Sequence, residues 1–299
     1  MLVPTPSTNK NNKVIMILCD GMRYDTAFEE MGYVNSLCKT NKCNRYISIV
    51  DNPSVSRTNY ETLHTGVSST VHGITSNLIL GKSKMDRNIF KELKNNGKTS
   101  SCIGSTWFYD MYGHDPNYLW FKHKELNNKH NEDITYGRFF SDDVPIDKSV
   151  QGIGYTFQTA DYIMYNYKPD YILIHLLTPD IIGHKIGIGK EYHNEISSID
   201  VILGVAIPRW FDMGYDIIIT SDHGMDNNNN HGSSKCEVMK VPLYVLSKRG
   251  WLPFGIPSKN INHIDIAPAI IERILPETDF RSYRDKLMVD IKYSDDCVK

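Results

Sequence analysis

Lys13-Val-Ile-Met-Ile-Leu-Cys19, closed by Asp20-Gly21, governs how the remaining chain is read. After Lys13 the run is apolar at both odd and even positions, which describes a strand covered on both faces rather than one half-open to water. Short runs of similar character recur at Thr99–Ile103, Tyr171–Leu177, Tyr215–Thr220 and Val241–Leu246, and Arg45–Asp51 is rich in β formers. Helical patterns separate them, over Asp86–Asn95, Val150–Tyr167, Lys190–Phe211 and His263–Leu275. The first of these is stopped by Asn95-Asn96-Gly97. This alternation predicts a doubly wound α/β fold, a mostly parallel central sheet with helices on both faces. Residues 1–12 read as a disordered tail and 13–299 as one domain. The stretch from about 107 to 145, rich in aromatics, His, Asn and Asp, breaks the rhythm and reads as an insertion forming a lid or a wall of the site.

Composition removes several function classes. The 299 residues carry a net charge of −2 and a pI near 6.6, so no basic footprint points to a nucleic-acid polymer. No apolar run reaches the roughly 18–20 residues needed to span a bilayer. The polar start, MLVPTPSTNKNNK, lacks the apolar stretch of a secretory signal, and the expectation is a cytoplasmic protein. Six scattered cysteines without CxxC spacing suit reduced, structural thiols; a Cys38–Cys43 bridge has only proximity behind it.

In open α/β sheets, ligands bind beyond the carboxyl ends of the strands. Metal-ligand residue types fall there in four separate pieces: Asp20 in CDGMR, Asp180 and His184 in TPDIIGH, Asp222 and His223 in TSDHGM, and His231 in NHGS. Asp180 and His184 stand at i, i+4, on one face if that turn is helical. Singly, each has an ordinary reading: an Asp-Gly turn, a surface or core histidine, a capping turn. Jointly, three Asp and three His at strand ends form two ligand sets. Carboxylate and imidazole together suit Zn²⁺, with Mn²⁺ or Fe as competitors.

Pro53–Gly66, reading PSVSRTNYETLHTG, joins the Arg45–Asp51 run to a segment that can wind as a helix. A hydroxyl at such a junction, here Ser56, is ordinarily an N-cap. It also sits where unpaired backbone N–H groups and the helix dipole favour an anion. A serine hydroxyl is a poor nucleophile at neutral pH, and a neighbouring dication lowers its pKa.

CDGMR, PSxS…N…TG, VHGITSN, PDxxGH, SDHGM, HGS before VPLY and DIAPAII, in that order from Val14 to Leu275, resemble the alkaline phosphatase superfamily. Within it the nearest group is the nucleotide pyrophosphatase/phosphodiesterase and phosphonoacetate hydrolase type. The resemblance implies an alkaline phosphatase-like catalytic domain with two zinc ions about 4 Å apart. It assigns Asp20, Asp222, His223 and the nucleophile Ser56 to one ion, and Asp180, His184 and His231 to the other. Many diesterase relatives have Thr at the nucleophile, so Ser56 is a mild departure; Thr58 is a second candidate. Asn59 matches the family asparagine that binds the phosphoryl oxygens, His72 reads as structural, and Asn77 as a supporting loop residue.

The implied activity is hydrolysis of a phosphodiester, nucleotide pyrophosphate or small phosphonate through a covalent phosphoserine. The expected partner is a small phosphorylated molecule such as a nucleotide, with Trp107, Phe108 and Tyr109 either stacking a base or forming a local core. A phosphomonoesterase of the same fold is the alternative. A sulfatase is disfavoured because Pro53, not Cys or Ser, opens PSVSR. A metal-binding pseudoenzyme would have lost a ligand or the nucleophile, and all are present.

Overall fold

A computed structural model describes residues 12–119, 121–127, 132–141, 152–255, 257 and 260–288. The expected tail, apart from Asn12, and positions 120, 128–131 and 142–145 of the expected insertion lie outside the described residues. Nine strands are described: β1 (Lys13–Cys19), β2 (Cys43–Ile49), β3 (Ser100–Ser105), β4 (Lys124–Asn127), β5 (Tyr136–Phe140), β6 (Tyr171–Leu176), β7 (Tyr215–Thr220), β8 (Lys240–Leu246) and β9 (Ile261–Asn262). They form one sheet in the order β4-β5-β3-β6-β1-β7-β8-β2-β9.

β1 pairs in parallel with β6 on one side and β7 on the other, and β3 is parallel to β5 and β6. The apolar run of β1 is buried throughout because both its faces are covered. Val14, Met16 and Leu18 enter one apolar cluster, and Ile15, Ile17 and Cys19 another. Each such side chain, fully buried, contributes on the order of 1.5–3 kcal/mol. Helices Ser56–Thr65, Ile89–Asn95, Thr106–Tyr112 and Ile266–Ile274 supply residues to the first cluster. Tyr24–Glu30, Gly32–Cys38, Ile153–Tyr167 and Lys190–Asp212 supply the second.

Three details depart from a simple parallel reading. β8 is antiparallel to both β7 and β2, so two reversals return β2 to the direction of β1. The carboxyl end of β2, from which Ser56 follows, therefore opens on the same edge as those of β1, β6 and β7. Within the segment read as an insertion, β4 and β5 extend the sheet at its edge, and Phe108 and Tyr109 are buried in the core. Helix Ile89–Asn95 starts three residues after Asp86, where Asn88 Oδ1 accepts the Lys91 N–H at 3.0 Å.

Candidate active site

Asp20 leaves β1 directly, Asp222 and His223 follow β7, and Asp180 lies in the Thr178–Lys185 helix after β6. Because β6, β1 and β7 are adjacent, these side chains converge. Gly21 makes the approach feasible: its φ is +70°, and a Cβ there would stand 2.8 Å from the Asp180 Cα. Its N–H also donates to Asp222 Oδ1 at 3.2 Å.

Donor atoms of Asp20, Asp222 and His223 lie within 4.8 Å of one another, all buried. His223 Nε2 is 3.4 Å from Asp20 Oδ1 and 3.2 Å from Asp222 Oδ2. Both oxygens are buried without a hydrogen-bond partner among the described residues. Burial opposes ionisation of Asp20, yet the hydrogen bond from His175, with His223 and Tyr60 adding to it, holds its carboxyl down at about 2. Asp222, buried and beside Asp20, is pushed far above the usual carboxylate range. Two buried carboxylates with orphaned oxygens aimed at one imidazole cost stability by themselves and fit a dication.

The second set closes against the first. Asp180, His223 and His231 also offer donors within 4.8 Å of one another. Asp180 Oδ1 is 3.5 Å from His184 Nε2 and 3.8 Å from His231 Nε2. The rings of His223 and His231 stack at 3.7 Å. Each of the three histidines donates its Nδ1–H to a backbone carbonyl: His223 to Gly224 (3.0 Å), His184 to Asn229 (2.8 Å) and His231 to Ser54 (3.1 Å). That fixes the tautomer and leaves every Nε2 lone pair toward the carboxylates, as metal ligation requires. Burial, with His223 nearby, lowers His231 to about 3, and burial also lowers His223; both stay neutral, ready as donors.

Ser56 is the first residue of its helix, and the N-cap, Val55, makes no side-chain capping bond. The Ser56 hydroxyl instead meets His223 Nε2 at 3.2 Å, which sets the N-cap reading aside. Thr58 Oγ1 is buried without a hydrogen-bond partner among the described residues. The two asparagines have different surroundings. Asn59 is fully buried and faces the loop before the helix: its Oδ1 accepts the Asp51 N–H at 2.8 Å, and its amide donates to Asp51 and Val55 carbonyls at 3.3 Å. Asn77 lies at the helix start, where its Oδ1 accepts the Arg57 N–H at 3.0 Å. Its side-chain N–H₂ is thereby directed away from that bond. Arg57 is buried, paired with Asp110 at 2.8 Å under the Trp107 ring.

Sequence reasoning missed His175 and Tyr60, which contact Asp20. The available signal for His175 was a polar residue inside the otherwise apolar run Tyr171–Leu176. The remaining histidines serve locally: His72 bonds Thr62 and Ile74, His64 stacks on Phe90, His114 and His123 meet Asp133 and Glu125, and His193 meets Glu30. His263, read as a cap neighbour, is buried against Asn59 Oδ1 at 3.2 Å. His130 lies outside the described residues.

A mixed, mostly parallel sheet that gathers acidic and imidazole donors at its carboxyl edge beside a hydroxyl at a helix start defines an alkaline phosphatase-like α/β protein. Residues 14–264 match the model of one family in that class. The chain belongs to the type I phosphodiesterase / nucleotide pyrophosphatase family. Curated relatives include GPI ethanolamine phosphate transferase 3 of Schizosaccharomyces pombe, 25% identical over 86% of this chain and 28% of that protein. Another is the catalytic subunit of human GPI ethanolamine phosphate transferase 2, 23% identical over 79% of this chain and 23% of that protein. The chain thus spans about a quarter of the length of these relatives. Among solved structures, an inactive variant of murine ectonucleotide pyrophosphatase / phosphodiesterase 5 in complex with AMP superposes with a TM-score of 0.64. The match covers 92% of this chain and 99% of that one at 14% identity. The human counterpart gives 0.62 at 15% identity, covering 92% of this chain and 99% of that chain. No helix among the described residues is long and apolar enough to cross a membrane.

Proposed function

We propose that the chain cleaves a phosphodiester or nucleotide pyrophosphate bond of a small substrate, with Ser56 as nucleophile and two divalent ions, Zn²⁺ or Mn²⁺, as cofactors. Asp20, Asp222 and His223, with the Ser56 hydroxyl, would hold one ion; Asp180, His184 and His231 would hold the other. The observation that carries this reading is the 3.2 Å approach of Ser56 Oγ to His223 inside the donor cluster. Bound there, the ions would supply Lewis acidity to the attacking hydroxyl and the departing oxygen.

The chain's own groups do the rest. Ser56 Oγ attacks phosphorus and expels one ester oxygen, which leaves carrying the hydroxyl's proton, and the phosphoserine so formed keeps the substrate's other ester group. Water then attacks the same phosphorus and displaces Ser56 Oγ, which takes up a proton from that water, so that two inversions give a monoester product with overall retention. Asn77 takes the part expected of Asn59: with its carbonyl committed to Arg57 N–H, its amide donors and the first turn of the Ser56–Thr65 helix stabilise the phosphoryl oxygens. Asn77→Ala is expected to lower kcat by about 10²–10³-fold, the usual cost of one such donor, whereas Asn59→Ala should act mainly through stability. Comparing kcat with thermal stability for the two variants separates these effects, and the reverse pattern would return the role to Asn59.

A diester is favoured because Arg57, the cation next to the nucleophile in sequence, is already balanced by Asp110. Rates on bis-p-nitrophenyl phosphate and p-nitrophenyl phosphate, each with added Zn²⁺ or Mn²⁺, test the choice. The diester should be the better substrate, and a strong preference for the monoester would overturn it. The names of the curated relatives support a second reading, in which an alcohol replaces water as acceptor. Formation of a new diester when a primary alcohol is added to the same assay would favour it.

A further inference from the structure

We infer that Tyr60 and His175 are positioning residues for Asp20, holding its Oδ2 so that Oδ1 alone is presented to an ion in the Asp20–Asp222–His223 set; this rests on the two-metal reading above. The protonation pattern of His175 is the reverse of that in the three ligand histidines. The Ser105 N–H donates to its Nδ1 at 3.3 Å, so Nδ1 is the acceptor and Nε2 carries the proton. That Nε2–H donates to Asp20 Oδ2 at 3.0 Å, with the Tyr60 oxygen 2.9 Å away. The Tyr60 hydroxyl donates to the same Oδ2. Two donors thus converge on one carboxylate oxygen, while Oδ1 has no hydrogen-bond partner among the described residues and faces His223.

The pair is rigidly seated. Asp20, Tyr60 and His175 are all buried, so water does not compete for Oδ2. Tyr60 stacks on Phe108 at 4.5 Å, and His175 stands edge-on to both rings at 5.2–5.3 Å. Gly104 in β3 leaves the space: a Cβ there would fall 2.5 Å from the His175 Cβ. A carboxylate pinned through one oxygen cannot turn to a bidentate or displaced geometry. Groups outside the ligand set that fix a ligand in this way are typically worth about 10–100-fold in metal affinity.

The test is a Zn²⁺ titration of the stripped full chain against a chromophoric chelator, resolving two ions. Tyr60→Phe and His175→Ala should each weaken one ion by about 10–100-fold and leave the other unchanged. His175→Gln, which keeps an N–H donor, should recover part of the loss. In an Asp20→Ala background, Tyr60→Phe should have no further effect on zinc binding, because the oxygen it orients is gone. The inference is overturned if both ions bind Tyr60→Phe and His175→Ala as tightly as the parent, or if the Tyr60→Phe effect persists without Asp20. Failure of the two-metal reading is distinguishable, since there the parent chain itself would take up no zinc.

Discussion

Ser56→Ala is expected to lower turnover of a phosphodiester by on the order of 10⁶-fold, the scale of loss when a serine nucleophile is removed from an otherwise intact site. The hydroxyl stands within 3.2 Å of His223 and is not used as a helix cap, so deleting it removes chemistry and little stability. Zinc content should persist, because three protein donors remain in that set and all three of the other. Turnover should be measured on metal-loaded protein beside elemental analysis of the same sample. Activity within tenfold of the parent would move the nucleophile to Thr58 or to water.

The second large effect concerns the ligands. Asp222→Asn should lower zinc by about one ion per chain and take turnover with it, whereas Asp180→Ala and His231→Ala should each cost the other ion. Asp222 also has a sign that can be checked without activity. Its carboxyl, raised by burial and by Asp20, has a folded pKa above the unfolded value near 4. Such a group costs the folded state increasingly as pH rises past about 4. Metal-stripped Asp222→Asn should therefore melt higher than the stripped parent at pH 7, yet gain less from added Zn²⁺. Unchanged metal content in all three variants would break the ligand assignment.

Why the convergence of the candidate ligands is legible in the sequence and that of Tyr60 and His175 is not has a physical basis. Asp20, Asp222 and His223 sit directly after apolar strands, and Asp180 and His184 on one helical turn, so local pattern and strand-end topology suffice to bring them together. His231 lies in NHGS just before the next strand, and its place in the second set rests on the family resemblance of HGS before VPLY. Asn59 and Asn77 could not be distinguished that way, because which of them meets the helix start depends on how 67–77 folds back over it. Tyr60 and His175 are 115 positions apart and meet only through packing beneath Asp20. The central strands announced themselves by unbroken apolarity. β4 and β5, at the edge, carry charged and small residues among the apolar ones, and gave no comparable signal.

The loop that carries His231 is sewn to the segment preceding Ser56. Gly232 N–H donates to Ser54 O at 3.0 Å, His231 Nδ1–H donates to the same oxygen, and Ser54 Oγ–H donates to Ser233 O at 2.8 Å. Ser54 and Ser56 are two residues apart, so the hydroxyl and one imidazole of the second set share a frame. Were the two sets to hold ions as proposed, order gained at one would pass to the other through these bonds. Under the two-ion reading, a change at His231 would be felt at the serine hydroxyl, which lies two residues from the shared carbonyl.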